Sequence, residues 1–383
     1  MELLERLSAP GPKRILALDG GGIRGAMTVG FLERIEEILR DRHGDPNLRL
    51  CDYFDLIGGT STGAIIASGL AIGMNASDIK QMYIELGGKV FGRKSWKKWK
   101  SIFASGPLQD ELERVFGDMT LGDPGIETGL CVVTKRADTG STWPLYNHPG
   151  GTFYLQNKDM LLRQVVRASA AAPVFFVPEL VDVGLGEMAA FVDGGVSMAN
   201  NPALQLFLLA VLKGYPFRWR TGEDNLMVVS VGTGTWPRRD RPEVVVNGKL
   251  WDSALQVPSM LMDDASWQNQ LLLQDLSRTK TAWHIDSEVG DLDDDQITAE
   301  PVLTYLRYNV RLVPEGLAEL GLEHLAPKVG QLREMSAAAS RFDLATVGEA
   351  AAARQVSPDH FPPAFDLTSG LPGSAAASST EAA

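Results

Sequence analysis

Asp55-Leu56-Ile57-Gly58-Gly59-Thr60-Ser61-Thr62-Gly63-Ala64-Ile65-Ile66-Ala67 decides how the rest of this chain is read. A short apolar run leads into a serine flanked by glycines, and a run of small apolar residues leaves it. The pattern predicts a buried strand, a sharp turn and a buried helix, with Ser61 at the apex. Gly59-Thr60-Ser61-Thr62-Gly63 matches G-x-S-x-G, the nucleophile elbow. Glycines two positions either side of the serine let the backbone close tightly, because a Cβ there would strike the neighbouring strand or helix. Such a turn exposes the hydroxyl and sets it beside a helix N-terminus, which favours developing negative charge. The pentapeptide is permissive, and an ordinary strand-to-helix loop matches it equally well when it is read alone.

Upstream, Arg14-Ile15-Leu16-Ala17-Leu18 reads as a second buried strand, followed by Asp19-Gly20-Gly21-Gly22-Ile23-Arg24-Gly25 and a helix from about Ala26 to Arg42. Gly20, Gly22 and Gly25 satisfy G-x-G-x-x-G, a dinucleotide fingerprint, yet the second strand ends in a serine rather than the acidic residue that would hold a ribose. The same loop also reads as an anion cradle, with unobstructed amides at a helix N-terminus and Arg24 as electrostatic support. Beside Ser61, such amides would meet a tetrahedral oxyanion, each donor contributing roughly 3–4 kcal/mol.

Further along, helices are expected over Ala76–Leu86, Pro107–Phe116, Lys158–Ala172 and Pro202–Lys213. Strands are expected at Leu130–Thr134, Thr152–Leu155, Phe191–Asp193 and Leu226–Val231. This alternation argues for an α/β fold with a mainly parallel central sheet flanked by helices. After Trp236 the pattern loosens into a helical and irregular elaboration. Trp251–Ser277 and Leu325–Phe342 look helical, and Thr281–Ile285 and Val302–Leu312 look extended. The domain reading is a core over residues 13–235, an elaboration over 236–356 packed on it, and a Pro-, Ser- and Ala-rich tail over 357–383 expected to be disordered.

Composition bounds the function. Of 383 residues 44% are hydrophobic and 22% charged, ordinary for a globular protein. Lys+Arg 36 against Asp+Glu 48 gives a net charge of −12, which argues against a nucleic-acid polymer as partner. The two cysteines, Cys51 and Cys131, build neither a disulfide framework nor a zinc site and suit a reducing cytoplasm. The N-terminus lacks the order of a secretory signal, and no run of about 18 apolar residues exists to span a bilayer. Asp291-Leu292-Asp293-Asp294-Asp295 lacks the Gly and Glu of a calcium loop, with Gln296 and Val302 in their places.

A serine nucleophile needs a base. His43, His148, His284, His324 and His360 are the histidines, and none occupies a loop directly after a core strand. Asp193 does, in Phe191-Val192-Asp193-Gly194-Gly195. Taken alone, that segment reads equally well as an Asp-Gly turn.

Asp-Gly-Gly-Gly-Ile-Arg-Gly at 19–25, Gly-Thr-Ser-Thr-Gly at 59–63 and Asp-Gly-Gly at 193–195 together resemble the patatin-like phospholipase family, in that order. Arg167-Ala168-Ser169-Ala170-Ala171-Ala172-Pro173 and Asn200-Asn201-Pro202 are similar to that family's flanking segments. The resemblance covers about residues 13 to 235 and implies a three-layer architecture and a Ser–Asp dyad without histidine. Ser61 would be the nucleophile, Asp193 the base, and Gly20, Gly21, Gly22 and Arg24 the oxyanion hole, with Gly59 and Gly63 shaping the elbow. Ala64 departs from the second glycine that many members carry. The implied activity is hydrolysis of acyl esters of phospholipids or other glycerolipids, without metal or cofactor. A transacylase on the same lipids is the nearest alternative; a dinucleotide-binding oxidoreductase and a non-catalytic lipid-binding signalling module are others.

Lys94, Trp96, Lys97, Lys98, Trp99 and Lys100 form a basic, tryptophan-bearing cluster in an otherwise acidic chain. Tryptophan favours the headgroup region and each lysine adds about 1 kcal/mol toward an anionic leaflet, so the cluster is a candidate membrane contact for a cytoplasmic enzyme that visits the membrane transiently. Some bacterial members of the resembled family are switched on by a signalling nucleotide. No motif after Trp236 marks such a sensor here.

Overall fold

Alternate residues of the central strand β1 (Lys13–Leu18) point into two different cores, and that alternation sets the architecture. Leu16 and Leu18 join one apolar cluster, Ile15 and Ala17 the other. A strand buried on both faces needs a continuous apolar run, which is why Ile15-Leu16-Ala17-Leu18 carries no polar residue. The computed structural model describes residues 2–90, 105–173, 175–184, 186–237, 242–246, 250–292 and 296–367. The basic cluster at 94–100, the acids at 293–295 and the tail from 368 onward lie outside the described residues.

The other strands are β2 (Leu56–Thr60), β3 (Gly129–Arg136), β4 (Ser141–Tyr146), β5 (Glu179–Asp182), β6 (Met188–Asp193), β7 (Leu226–Val231), β8 (Ser277–Arg278) and β9 (Leu303–Tyr308). They lie in the order β5-β6-β3-β2-β1-β7-β9-β8, with β4 paired to β3 off that path. The pairs joining β3, β2, β1, β7, β9 and β8 are parallel, whereas β4, β5 and β6 pair antiparallel. The sheet is mixed and mostly parallel. One face is covered by the helices Gly25–His43, Thr62–Ala71, Ala76–Val90 and Arg341–Gln355, the other by Ala203–Val211 together with Leu7 and Leu273. Because β9 pairs with β7, the sheet draws on sequence well beyond Trp236.

Several expectations are corrected. Thr152–Leu155 is not a strand; turn bonds from Gly151 N–H to His148 O and from Tyr154 N–H to Gly151 O lead into the helix Tyr154–Asn157. Both edges of β3 are already occupied, so its β-prone residues have no ladder to join there. Thr281–Ile285 is held by side chains instead of a ladder: Thr281 Oγ1 accepts from Arg307 N–H and Gln274 Oε1 from Trp283 N–H. Leu325–Phe342 is not one helix. It breaks into the 3-10 segment Glu323–Lys328, which contains Pro327, the short helix Val329–Arg333 and the 3-10 turn Ala338–Ser340. The long helix there is Arg341–Gln355. Within 357–367, Phe361 and Phe365 are buried in the core and Arg42 binds Asp366, so two aromatics and an ion pair fix this Pro-rich stretch.

Candidate active site

β2 runs into the elbow, where Ser61 takes φ 56° and ψ −120° ahead of the helix Thr62–Ala71. A non-glycine residue in this region is strained and must be held there by its surroundings. A Cβ on Gly59 would lie 2.1 Å from Gly63 O, and one on Gly63 would lie 2.2 Å from Leu18 O. Only hydrogen at both positions lets strand and helix approach this closely.

Topology along β3 brings Asp193 to Ser61. β4 occupies one edge of β3 from Cys131 to Arg136, so β2 and β6 share the other. β2 pairs as far as Thr60↔Val133, while β6 arrives from the opposite direction and ends at Asp193↔Thr134. Their C-terminal ends meet head to head at adjacent positions of β3. Asp193 thus reaches the site by an antiparallel approach.

The two side chains touch. Ser61 Oγ donates to Asp193 Oδ2 at 2.5 Å, and Gly195 N–H donates to Asp193 Oδ1 at 2.7 Å. Ser61 is 9% exposed and Asp193 6%. Burial pushes the Asp193 carboxyl up to about 6, against the opposing pull of the hydrogen bonds from Ser61 and Gly195 and of the nearby Arg167. No histidine hydrogen-bonds to either residue among the described residues. His148 Nδ1 accepts from Gly150 N–H and its ring stands edge-on to Phe217.

The glycine loop packs directly over the serine: a Cβ on Gly20 would lie 3.2 Å from Ser61 Cβ. Its three amides are not equivalent. Gly20 N–H donates to Asn200 O at 3.0 Å, whereas the Gly21 and Gly22 amides have no acceptor among the described residues. Gly22 adopts φ 59°, and Tyr83 Oη donates to its carbonyl. Arg24 is buried, donates Nε–H to Gly21 O and lies over the Trp236 ring. Burial lowers its guanidinium to about 10, with Asp263 and Asp19 opposing that shift. Arg24 therefore braces the loop from its carbonyl side.

Sequence reasoning missed three supports. Thr233 Oγ1 donates to Gly20 O at 2.8 Å, giving the Gly232-Thr233-Gly234 turn a role in the loop. Arg307 on β9 makes a two-pronged bond to Asp19 at 2.9 and 2.6 Å and a third to Ser230 Oγ. Ser169 Oγ accepts the Ser61 amide at 2.8 Å. Ser169 had a sequence signal as part of the segment at 167–173, and Thr233 as part of a glycine-flanked turn after a core strand; a lone arginine on a distant strand offers none. Cys51, Asp52 and Glu127 are the one grouping among the described residues with metal-ligand proximity, and Arg49 already binds both carboxylates.

A family model described as patatin-like phospholipase matches residues 16–207, a stretch containing the glycine loop, Ser61 and Asp193. The chain belongs to the patatin-like phospholipase family. Its relatives include a "cGAMP-activated phospholipase" of Escherichia coli strain TW11681, 29% identical over 57% of this chain and 62% of that one. A second "cGAMP-activated phospholipase", from Vibrio cholerae serotype O1, is 32% identical over 50% of this chain and 55% of its own length. A "cUMP-AMP-activated phospholipase" of Escherichia coli is 27% identical over 84% of this chain and 93% of its own. The chain thus spans little more than half the length of the first two relatives, and most of the third. No helix among the described residues of this patatin-like protein is long and apolar enough to cross a membrane.

Proposed function

We propose that this patatin-like protein is a serine acyl hydrolase that releases fatty acids from phospholipids or other glycerolipids through Ser61 and Asp193. The observation that carries the reading is the 2.5 Å hydrogen bond from a strained, buried serine to a buried carboxylate whose affinity for protons is raised. An ordinary aspartate, with a pKa of about 3.9, is a poor base for a hydroxyl; one near 6 is better matched to the task.

In the proposed reaction Asp193 Oδ2 takes the Ser61 proton as Oγ attacks the ester carbonyl carbon. The Gly21 and Gly22 amides receive the oxyanion, since Gly20 N–H is already bound to Asn200 O. Collapse breaks the bond to the alcohol oxygen, which takes the proton from Asp193 and leaves. A water then gives a proton to Asp193 and attacks the acyl-serine, and the fatty acid departs as Ser61 recovers its proton. No step calls on a metal or cofactor. The protein would meet its substrate transiently at the membrane surface from the cytoplasm. The names of the relatives support a cyclic dinucleotide as regulator of this protein too.

The test is mass spectrometry of products from mixed phospholipid liposomes, with and without added cyclic dinucleotides. Wild type should release free fatty acid, and Ser61→Ala and Asp193→Ala should not. Release by Ser61→Ala equal to wild type would remove Ser61 from the reaction.

A further inference from the structure

Between Ser61 and Asp193 no ladder runs directly. Asp193 ends β6 and pairs with Thr134, whereas Ser61 follows β2, whose last pair is Thr60↔Val133, and pairs with no strand. A 2.5 Å contact between two strand ends therefore needs a third element to set it. The C-terminus of the helix Leu162–Ser169 is that element. Ser169 Oγ accepts the Ser61 N–H at 2.8 Å, and its own hydroxyl donates to Val133 O at 2.6 Å. Two residues on, Ala171 O accepts the Asp193 N–H at 3.0 Å. A single three-residue segment, Ser169-Ala170-Ala171, thus holds the backbones of both members of the dyad.

We infer that Ser169 is a positioning residue for catalysis: its hydroxyl clamps the Ser61 amide to β3 and fixes the distance between Ser61 Oγ and Asp193. This rests on the Ser–Asp reading above. The role needs a group that donates and accepts at once in a site with no room for bulk. Ser169 is wholly buried, and the site where its hydroxyl bonds Val133 O is crowded: Gly194 also packs so tightly there that a Cβ on it would lie 2.2 Å from that carbonyl. Helix geometry supplies the stiffness. Val165, Val166 and Ala168 are buried against the sheet, so the helix end cannot follow Ser61 if the elbow shifts. The bond also explains how a non-glycine residue is kept at φ 56°, because releasing that amide would let the elbow relax.

The inference predicts a pattern that loss of fold stability would not produce. Ser169→Ala leaves the Ser61 amide without an acceptor and frees the elbow. A displacement of about 1 Å at a reacting group costs on the order of 100-fold in rate. Full-length Ser169→Ala should therefore lose on the order of 100-fold in kcat on a soluble short-chain nitrophenyl ester and in the rate of fluorophosphonate labelling, with KM little changed. Without the Ser61 hydrogen bond that steadies its ionised form, Asp193 should hold its proton to higher pH, and the acid limb of the rate profile should move upward. Melting temperatures of all variants, taken alongside, separate misfolding from mispositioning. If folded Ser169→Ala labels at the wild-type rate with its acid limb unmoved, the inference falls. Labelling that survives Ser61→Ala would instead overturn the Ser–Asp reading.

Discussion

Asp193 sets stability against chemistry within one side chain. Folding raises its pKa to about 6, so the folded state favours the protonated form. Its contribution to stability is complete below the ordinary carboxylate pKa and is lost as pH rises through about 6. Asp193→Asn keeps the shape without the charge. It should stabilise the protein by about 1–3 kcal/mol at pH 8 and give no gain at pH 4, read by denaturant titration. Equal stability at pH 8 would mean that Asp193 ionises as easily folded as unfolded. The same shift governs the rate: kcat/KM of wild type should rise as pH passes through about 6 and then level, because the base must be ionised. Asp193→Asn should lose about 10²–10⁴-fold in activity, the usual contribution of general-base catalysis. A limb near pH 4 in wild type would place the titrating base elsewhere.

At the scale of elements, close approaches of backbone explain both what the sequence announced and what it concealed. The elbow was legible because Gly59 and Gly63 stand two residues either side of Ser61, and each meets a backbone oxygen where its Cβ would be. Gly63→Ala, with its Cβ 2.2 Å from Leu18 O, should abolish fluorophosphonate labelling and lower the melting temperature. The helix Arg341–Gln355 was not legible. It buries two larger side chains, Leu344 and Val347, and otherwise packs through Ala345, Gly348, Ala351 and Ala352, so its apolar stripe is thin. Those small residues are what lets it lie directly on Gly25–His43: a Cβ on Gly30 would be 2.6 Å from the Gly348 and Glu349 backbone, and one on Gly348 would be 2.3 Å from Met27 O. Gly348→Val should force the helices apart and cost about 1–3 kcal/mol, measured by urea unfolding, although glycine is ordinarily the poorer helix former. A gain in stability would show that the two helices can separate freely. The antiparallel edge was concealed for a different reason. Glu179-Leu180-Val181-Asp182 and Ser141–Tyr146 are half exposed, so no continuous apolar run marks them and their direction is set by partners rather than by pattern.

Across the whole molecule, the glycine loop is built by residues far apart in the chain. Local sequence supplies its amides and the central strands supply its place, but its anchor comes from the far end. Arg307, on β9, binds Asp19 at the base of the loop with both side chains buried, and Ser230 on β7 completes the guanidinium's partners. The family match ends at residue 207, so this anchor lies beyond it and could not be read from the motifs. Breaking a buried pair by removing one partner costs about 3–5 kcal/mol, because the survivor keeps its charge without compensation, whereas removing both costs much less. Arg307→Met should therefore destabilise the protein by about that amount and slow fluorophosphonate labelling, since Asp19 is left charged beside the loop. The double variant Asp19→Asn/Arg307→Met should recover most of the stability. If β9 serves only to widen the sheet, the double variant will also label Ser61 at the wild-type rate. If Arg307 holds the loop in register, stability will return while labelling stays slow, and the two readouts will separate.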